Sequence, residues 1–195
     1  MVAPGVEPIA VVAAHGLPGA RTWPGSPMDD DRFHTLLDEV VVEKLTGHLV
    51  GAIETGALPA TEAQHGLSTE RHDVALVADL TLERLLVATS TRLREAGIRH
   101  RGLKGPVLAR TTYPDPALRS FADIDVLIEG PRFDDAVALL VGEGGHRRFA
   151  EPRRGFTARF GKGVCVETER GLEIDLHRVF TSGPFGLAID DRDLF

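Results

Sequence analysis

The stretch RSFADIDVLIEG, Arg119 to Gly130, decides how the chain is read. Ile124, Val126 and Ile128 alternate with Asp123, Asp125 and Leu127, which is the period of a β-strand whose residues two apart share a face. One face therefore reads as core, and the other sets two carboxylates close together. Such a pair repels, and burying it without a cation is expensive. A bound divalent metal reverses that penalty. Magnesium suits the position because it takes oxygen ligands and keeps water and substrate phosphates in its shell. The bland alternative is a solvated strand edge.

A second stretch repeats the arrangement. In LEIDLH, Glu173, Asp175 and His177 share one face while Leu172, Ile174 and Leu176 share the other. A carboxylate from each strand would complete one cluster. Upstream, GLKGPVLA fits a turn into a helix, with Gly105 in the turn and Pro106 at the first helical position. Helix N-termini offer free N–H groups to anions, and Lys104 adds a full charge. Arg119, four residues before Asp123, is a candidate clamp for phosphate oxygens.

The remaining elements follow from periodicity and turn residues. IRHRGLKG reads as a strand, PVLARTTY as a short helix, DIDVLIE as a strand and PRFDDAVALLVGEGG as a helix. FTARF, VCVET and LEIDLH read as strands joined by tight turns at GKG and ERG. Residues 97–195 are thus expected to form an α+β domain, a mixed or antiparallel sheet with helices on one side. Residues 28–96 read as a helical region. Asp29 to Asp31 cap a helix whose apolar positions run from Phe33 to Ile53, and a second helix covers Glu70 to Ala96. Its buried candidates are Val74, Val77, Leu80, Leu85 and Leu93, with Gly97 as the stop. His34, His48, His65 and His72 share no metal-ligand spacing and read as surface or packing residues. Residues 1–27, rich in Pro, Gly and Ala, read as a mobile leader, with Met28 as an alternative start. HRRF and PRRGF, between His146 and Phe156, read as solvated loop charge beside aromatic residues.

Composition narrows the function classes. A chain of 195 residues supports one sizeable core, or one core with a small appendage. A net charge of −7 argues against an extended nucleic-acid surface. Cys165 is the sole cysteine, which excludes an intramolecular disulfide and a thiolate metal cluster and suits a reducing, cytoplasmic setting. The apolar run IAVVAA is too short for a membrane span and has no basic segment before it. Lysine occurs only at 44, 104 and 162 among many arginines, a bias that points to a GC-rich bacterial genome.

In this order and spacing the motifs resemble the DNA polymerase β-type nucleotidyltransferase superfamily. They are most similar to a bacterial family reading LKG…Y.D…R…DIDLLV…DLHW. The chain supplies Leu103-Lys104-Gly105, Tyr113, Asp115, Arg119, Asp123-Ile124-Asp125-Val126-Leu127-Ile128 and Asp175-Leu176-His177. The resemblance implies that Asp123, Asp125 and Asp175 bind two magnesium ions, with manganese as a substitute. It implies that Lys104, Gly105 and Arg119 hold the triphosphate, and that His177 and Glu173 stand behind the ligands or on the acceptor side. The implied reaction moves a nucleoside monophosphate from an NTP to a hydroxyl on a small molecule, a protein or an RNA end, and releases pyrophosphate. The alternative is a non-catalytic nucleotide- or partner-binding member of the same fold, including a toxin–antitoxin role. A metal-dependent phosphohydrolase is a third reading. The chain departs from the pattern at Pro106, which lacks an N–H, and at Arg178, where the family has Trp. Family members continue into a further helical region, so the core is expected to be truncated at its C-terminus.

Overall fold

The computed structural model describes residues 7–153, 155–181 and 191–195. It divides into two units. The first comprises Met1–Asp79 and Ala109–Ser120, and the second Leu80–Leu108 and Phe121–Phe195.

The first unit is helical: α1 (Pro8–Ala13), α2 (Asp30–Val42), α3 (Thr46–Glu54) and the beginning of α4 (Glu62–Glu95). Asp29 opens α2 by accepting from the Arg32 N–H at 3.0 Å, and Asp30 and Asp31 place negative charge at the positive end of the helix. Phe33, Leu36, Leu37 and Val40 bury one face of α2 against Leu49 and Ala52 of α3. Residues 1–27, expected as a leader without periodicity, contain α1 instead; residues 1–6 lie outside the described region. Val11, Val12 and Trp23 join the same apolar cluster, so burial of these large side chains ties the segment down.

The single helix expected from Phe33 to Ile53 is broken in two. Lys44 adopts a left-handed φ of 59°, while the Leu45 N–H bonds the Val40 carbonyl at 2.9 Å and the Lys44 N–H bonds the Val41 carbonyl at 3.2 Å. This is a Schellman ending with lysine where glycine is usual, so the sequence carries no stop signal there. Helix α4 begins eight residues before the expected Glu70. Thr61 and Gln64 form a reciprocal capping box, N–H to side-chain oxygen at 3.1 and 3.2 Å, encoded in TEAQ. Val74, Val77 and Leu80, expected to be buried, are 67 %, 67 % and 52 % exposed. The buried face carries Gln64 and Ser68 instead. Gln64 Nε2 donates to the Met28 carbonyl at 2.9 Å and to Asp30 Oδ1 at 2.8 Å, which removes the penalty for burying it.

The second unit carries a five-stranded mixed sheet of order β1-β2-β5-β4-β3, so the architecture is α+β with an N-terminal helical region, as expected. The strands are β1 (His100–Leu103), β2 (Ile124–Ile128), β3 (His146–Arg147), β4 (Gly163–Glu167) and β5 (Glu173–His177). Strands β2 and β5 are parallel, and every other pairing is antiparallel. All five residues of β2 are buried, as for a strand covered on both faces. Helix α5 (Lys104–Thr111) follows β1, and α6 (Phe133–Gly142) packs on β3 and β4 through a face that buries Phe133, Ala136, Val137 and Leu140. Gly97 ends α4 with φ 67° and a bond from the Ile98 N–H to the Leu93 carbonyl at 2.8 Å.

Two local expectations are corrected. FTARF forms helix α7 (Phe156–Phe160) rather than a strand, and GKG therefore links a helix to β4 instead of closing a hairpin. Glu151 decides this by accepting from the Thr157 N–H at 2.7 Å and the Gly155 N–H at 3.3 Å, which satisfies the first turn. His146 and Arg147, expected in a loop, form the edge strand β3, where charged side chains suit an unpaired outer edge. Arg154 of the basic stretch lies outside the described residues.

Candidate functional site

The site is built on the second unit, where β2 and β5 run side by side. Their register pairs Asp125 with Asp175 and Leu127 with His177. Because alternate residues share a face, Asp125, Asp175 and His177 project from the same side of the sheet. One ligand-capable atom from each lies within 4.8 Å of the others. Asp123 sits just before β2 and is not a member of this group, although its charge acts on Lys104.

Lys104 reaches the group from the end of β1, where Leu103 is the antiparallel partner of Asp125. The turn that follows is tight. Lys104 has φ 36° and Gly105 has φ 29° with ψ −119°, and regular helix starts only after them. A Cβ on Gly105 would stand 3.4 Å from the Asp123 carbonyl oxygen, so glycine serves both the backbone angle and the close approach. A lysine with positive φ is uncommon and stores strain next to the carboxylates.

Asp125 is the hub. Its Oδ1 accepts from Lys104 Nζ at 2.8 Å and from His177 Nε2 at 2.6 Å. The Asp125 side chain is 4 % exposed, that of His177 8 % and that of Lys104 57 %. Burial pushes the Asp125 carboxyl up, but the hydrogen bonds from His177 and Lys104 outweigh it together and hold it below its usual range. The same hydrogen bond holds the Lys104 ammonium above its usual range against partial burial, and the charges of Asp125, Asp123 and Asp175 act in the same direction. A carboxylate only accepts, so His177 Nε2 carries the proton in this bond. His177 Nδ1 is buried and has no partner among the described residues. The two carboxylates fit a divalent cation, with His177 Nε2 as the donor that holds Asp125 in place.

The face continues onto β4. Cys165 pairs in register with Asp175, and its Sγ lies 3.8 Å from Glu173 Oε2. Burial first, then the hydrogen bond and charge of Asp175 and the charge of Glu173, push the Cys165 thiol up to about 12. Cys165 is therefore a protonated wall rather than a nucleophile. Glu173 is not part of the metal-capable group and forms an ion pair with Arg148. Arg148, read within HRRF as solvated loop charge, follows β3 directly, and nothing in that stretch encodes a partner 25 residues away. Arg119 belongs to the first unit, where its guanidinium lies 5.6 Å from the Tyr113 ring centroid and donates to the Tyr113 hydroxyl at 3.4 Å.

No helix among the described residues is long and apolar enough to cross a membrane. Neither a curated protein nor a solved structure matches the chain. A family model does match, over residues 26–194, and takes in both the turn at Lys104 and the two aspartate-bearing strands. The chain belongs to the family described as uncharacterised nucleotidyltransferase.

Proposed function

We propose that the protein is a magnesium-dependent nucleotidyltransferase that transfers a nucleoside monophosphate from an NTP to a hydroxyl-bearing acceptor. The observation that carries this reading is the meeting of Asp125, Asp175 and His177 on adjacent strands in a chain of nucleotidyltransferase family. In this proposal Asp125 and Asp175 hold the metal, with Asp123 at the start of β2 as the further carboxylate. His177 fixes the Asp125 carboxylate through Nε2. Bound there, the metal supplies positive charge that polarises the α-phosphate and lowers the pKa of the acceptor hydroxyl. Lys104 and the backbone of the Gly105 turn hold the triphosphate and offset charge that builds on it. Pro106 offers no N–H, so Lys104 takes the larger share of that work. The acceptor oxygen bonds to the α-phosphorus as the bond to the β-phosphate oxygen breaks. Pyrophosphate leaves, and the acceptor proton is released.

The test uses each α-labelled NTP with magnesium and cell extract. Label should move to an acceptor with release of pyrophosphate, and both should vanish in Asp125→Asn and Asp175→Asn. NTP binding without any transfer of label, or release of free phosphate in place of pyrophosphate, overturns the proposal.

A further inference from the structure

Asp125 Oδ1 already holds two donors, Lys104 Nζ at 2.8 Å and His177 Nε2 at 2.6 Å. A cation that reaches this oxygen must displace one of them. His177 is buried in β5, with its side chain 8 % exposed and its position fixed by the parallel pairing with β2. Lys104 is different: its side chain is 57 % exposed on a flexible four-carbon stem. The lysine is the donor that can leave. Its departure is also favoured, because an ammonium and a divalent cation on one carboxylate repel each other.

Where the ammonium goes decides when a metal can enter. Expelled into water by a bare metal ion, it gives up a charge-assisted hydrogen bond to a buried carboxylate and gains only solvent. Expelled while a nucleoside triphosphate is bound, it gains phosphate oxygens beyond the Gly105 turn. The backbone suits such a swing. Lys104 sits at φ 36° in a turn rather than within regular helix or strand, and from there its side chain reaches back to Asp125 on β2.

We propose that Lys104 is a resident counter-ion of the Asp125 carboxylate, exchanged for metal only as nucleotide binds, so that the protein takes up metal and triphosphate together and binds the bare metal poorly. This rests on the nucleotidyltransferase reading above and adds the order in which its site fills. Two ligands coupled in this way must each strengthen the binding of the other by the same factor.

The probe is manganese, titrated against the full chain and followed by the electron paramagnetic resonance signal of the free ion. No turnover is needed. Wild-type protein should bind Mn2+ weakly alone and more tightly with a non-hydrolysable NTP analogue. Lys104→Met should tighten binding of Mn2+ alone by about tenfold, the value of one hydrogen bond to a charged group, and should shrink the gain from nucleotide. Lys104→Arg, which keeps the charge, should behave like wild type, and Lys162→Met controls for the loss of a lysine elsewhere in the unit. Lys104→Gln repeats the test if the methionine variant does not fold, as judged by circular dichroism. Equal affinity of wild type and Lys104→Met for Mn2+ alone, or an unchanged gain from nucleotide, overturns the proposal. In that case loss of nucleotide-dependent Mn2+ binding in Asp125→Asn would leave the nucleotidyltransferase reading standing. Absence of Mn2+ binding to wild type even with nucleotide would overturn both.

Discussion

Cys165 reports on the carboxylate face, and as the sole cysteine it can be followed without mutating others. Its thiol is pushed from 9.0 to about 12 by burial and by Asp175 and Glu173. At pH 8 an unperturbed thiol of this kind is roughly one-tenth thiolate, whereas Cys165 is thiolate at about one part in ten thousand. The thousandfold deficit is partly offset, because a more basic thiolate is more nucleophilic with a Brønsted slope near ~0.45. Three pH units at that slope return about twentyfold. The net expectation is reaction with an aromatic disulfide reagent about fortyfold slower than for a free thiol at pH 8. The pH profile is more diagnostic than the rate. It should climb tenfold per unit through pH 10, where an ordinary thiol has already levelled off. Asp175→Asn removes both a hydrogen bond and a like charge, so the inflection should move down while burial keeps it above the ordinary value. A rate that levels off near pH 9 in the native protein, or a profile untouched by Asp175→Asn, would refute the placement of Cys165 beside Asp175 and with it the β4–β5 register.

Three further outcomes follow from packing and charge. Gly47→Ala would put a Cβ 2.4 Å from the Ala117 carbonyl oxygen, a backbone atom that cannot step aside, and should lower unfolding free energy by about 2 kcal/mol in urea titration. Lys44→Gly should raise it by about 1 kcal/mol, because the left-handed conformation at φ 59° no longer crowds a side chain. The Asp125 carboxyl is lowered in the folded state, so its ionised form stabilises the fold above the unfolded carboxyl value and that contribution disappears as pH falls through the folded value. Wild type should therefore lose more stability than Asp125→Asn between pH 5 and about pH 2, read from denaturation midpoints at each pH. An equal loss in the two proteins would contradict the paired, ionised state of Asp125.

Much of the second unit was legible because burial leaves a period. The alternation in DIDVLIEG and LEIDLH gave two strands with one apolar and one acidic face each, and both strands are there. Short aromatic runs carry no such information, since five residues fit either period. FTARF became a helix because the Glu151 carboxylate, just before it in the chain, caps its first turn. In α4 the i, i+3 valines misled because the buried face is partly polar, and Gln64 is admissible there only through its bonds to Met28 and Asp30. The break at Lys44 left no mark, since a lysine stands where glycine would have announced it.

By itself, then, the sequence determined that Glu173, Asp175 and His177 share a face of one strand, and it set Asp123 beside Asp125 at the entry to another, although β2 begins only at Ile124. It could not determine which strands lie side by side. His177 and Asp125 are 52 residues apart, and alternation encodes the face of a strand but not its neighbour or register. The parallel pairing of β2 with β5 selects Asp125, Asp175 and His177 as the group that meets, and leaves Asp123 and Glu173 at its margins. The left-handed turn at Lys104 then lays an ammonium on the same oxygen that His177 holds. Contacts of this kind depend on packing between distant segments, and only the tertiary structure supplies them.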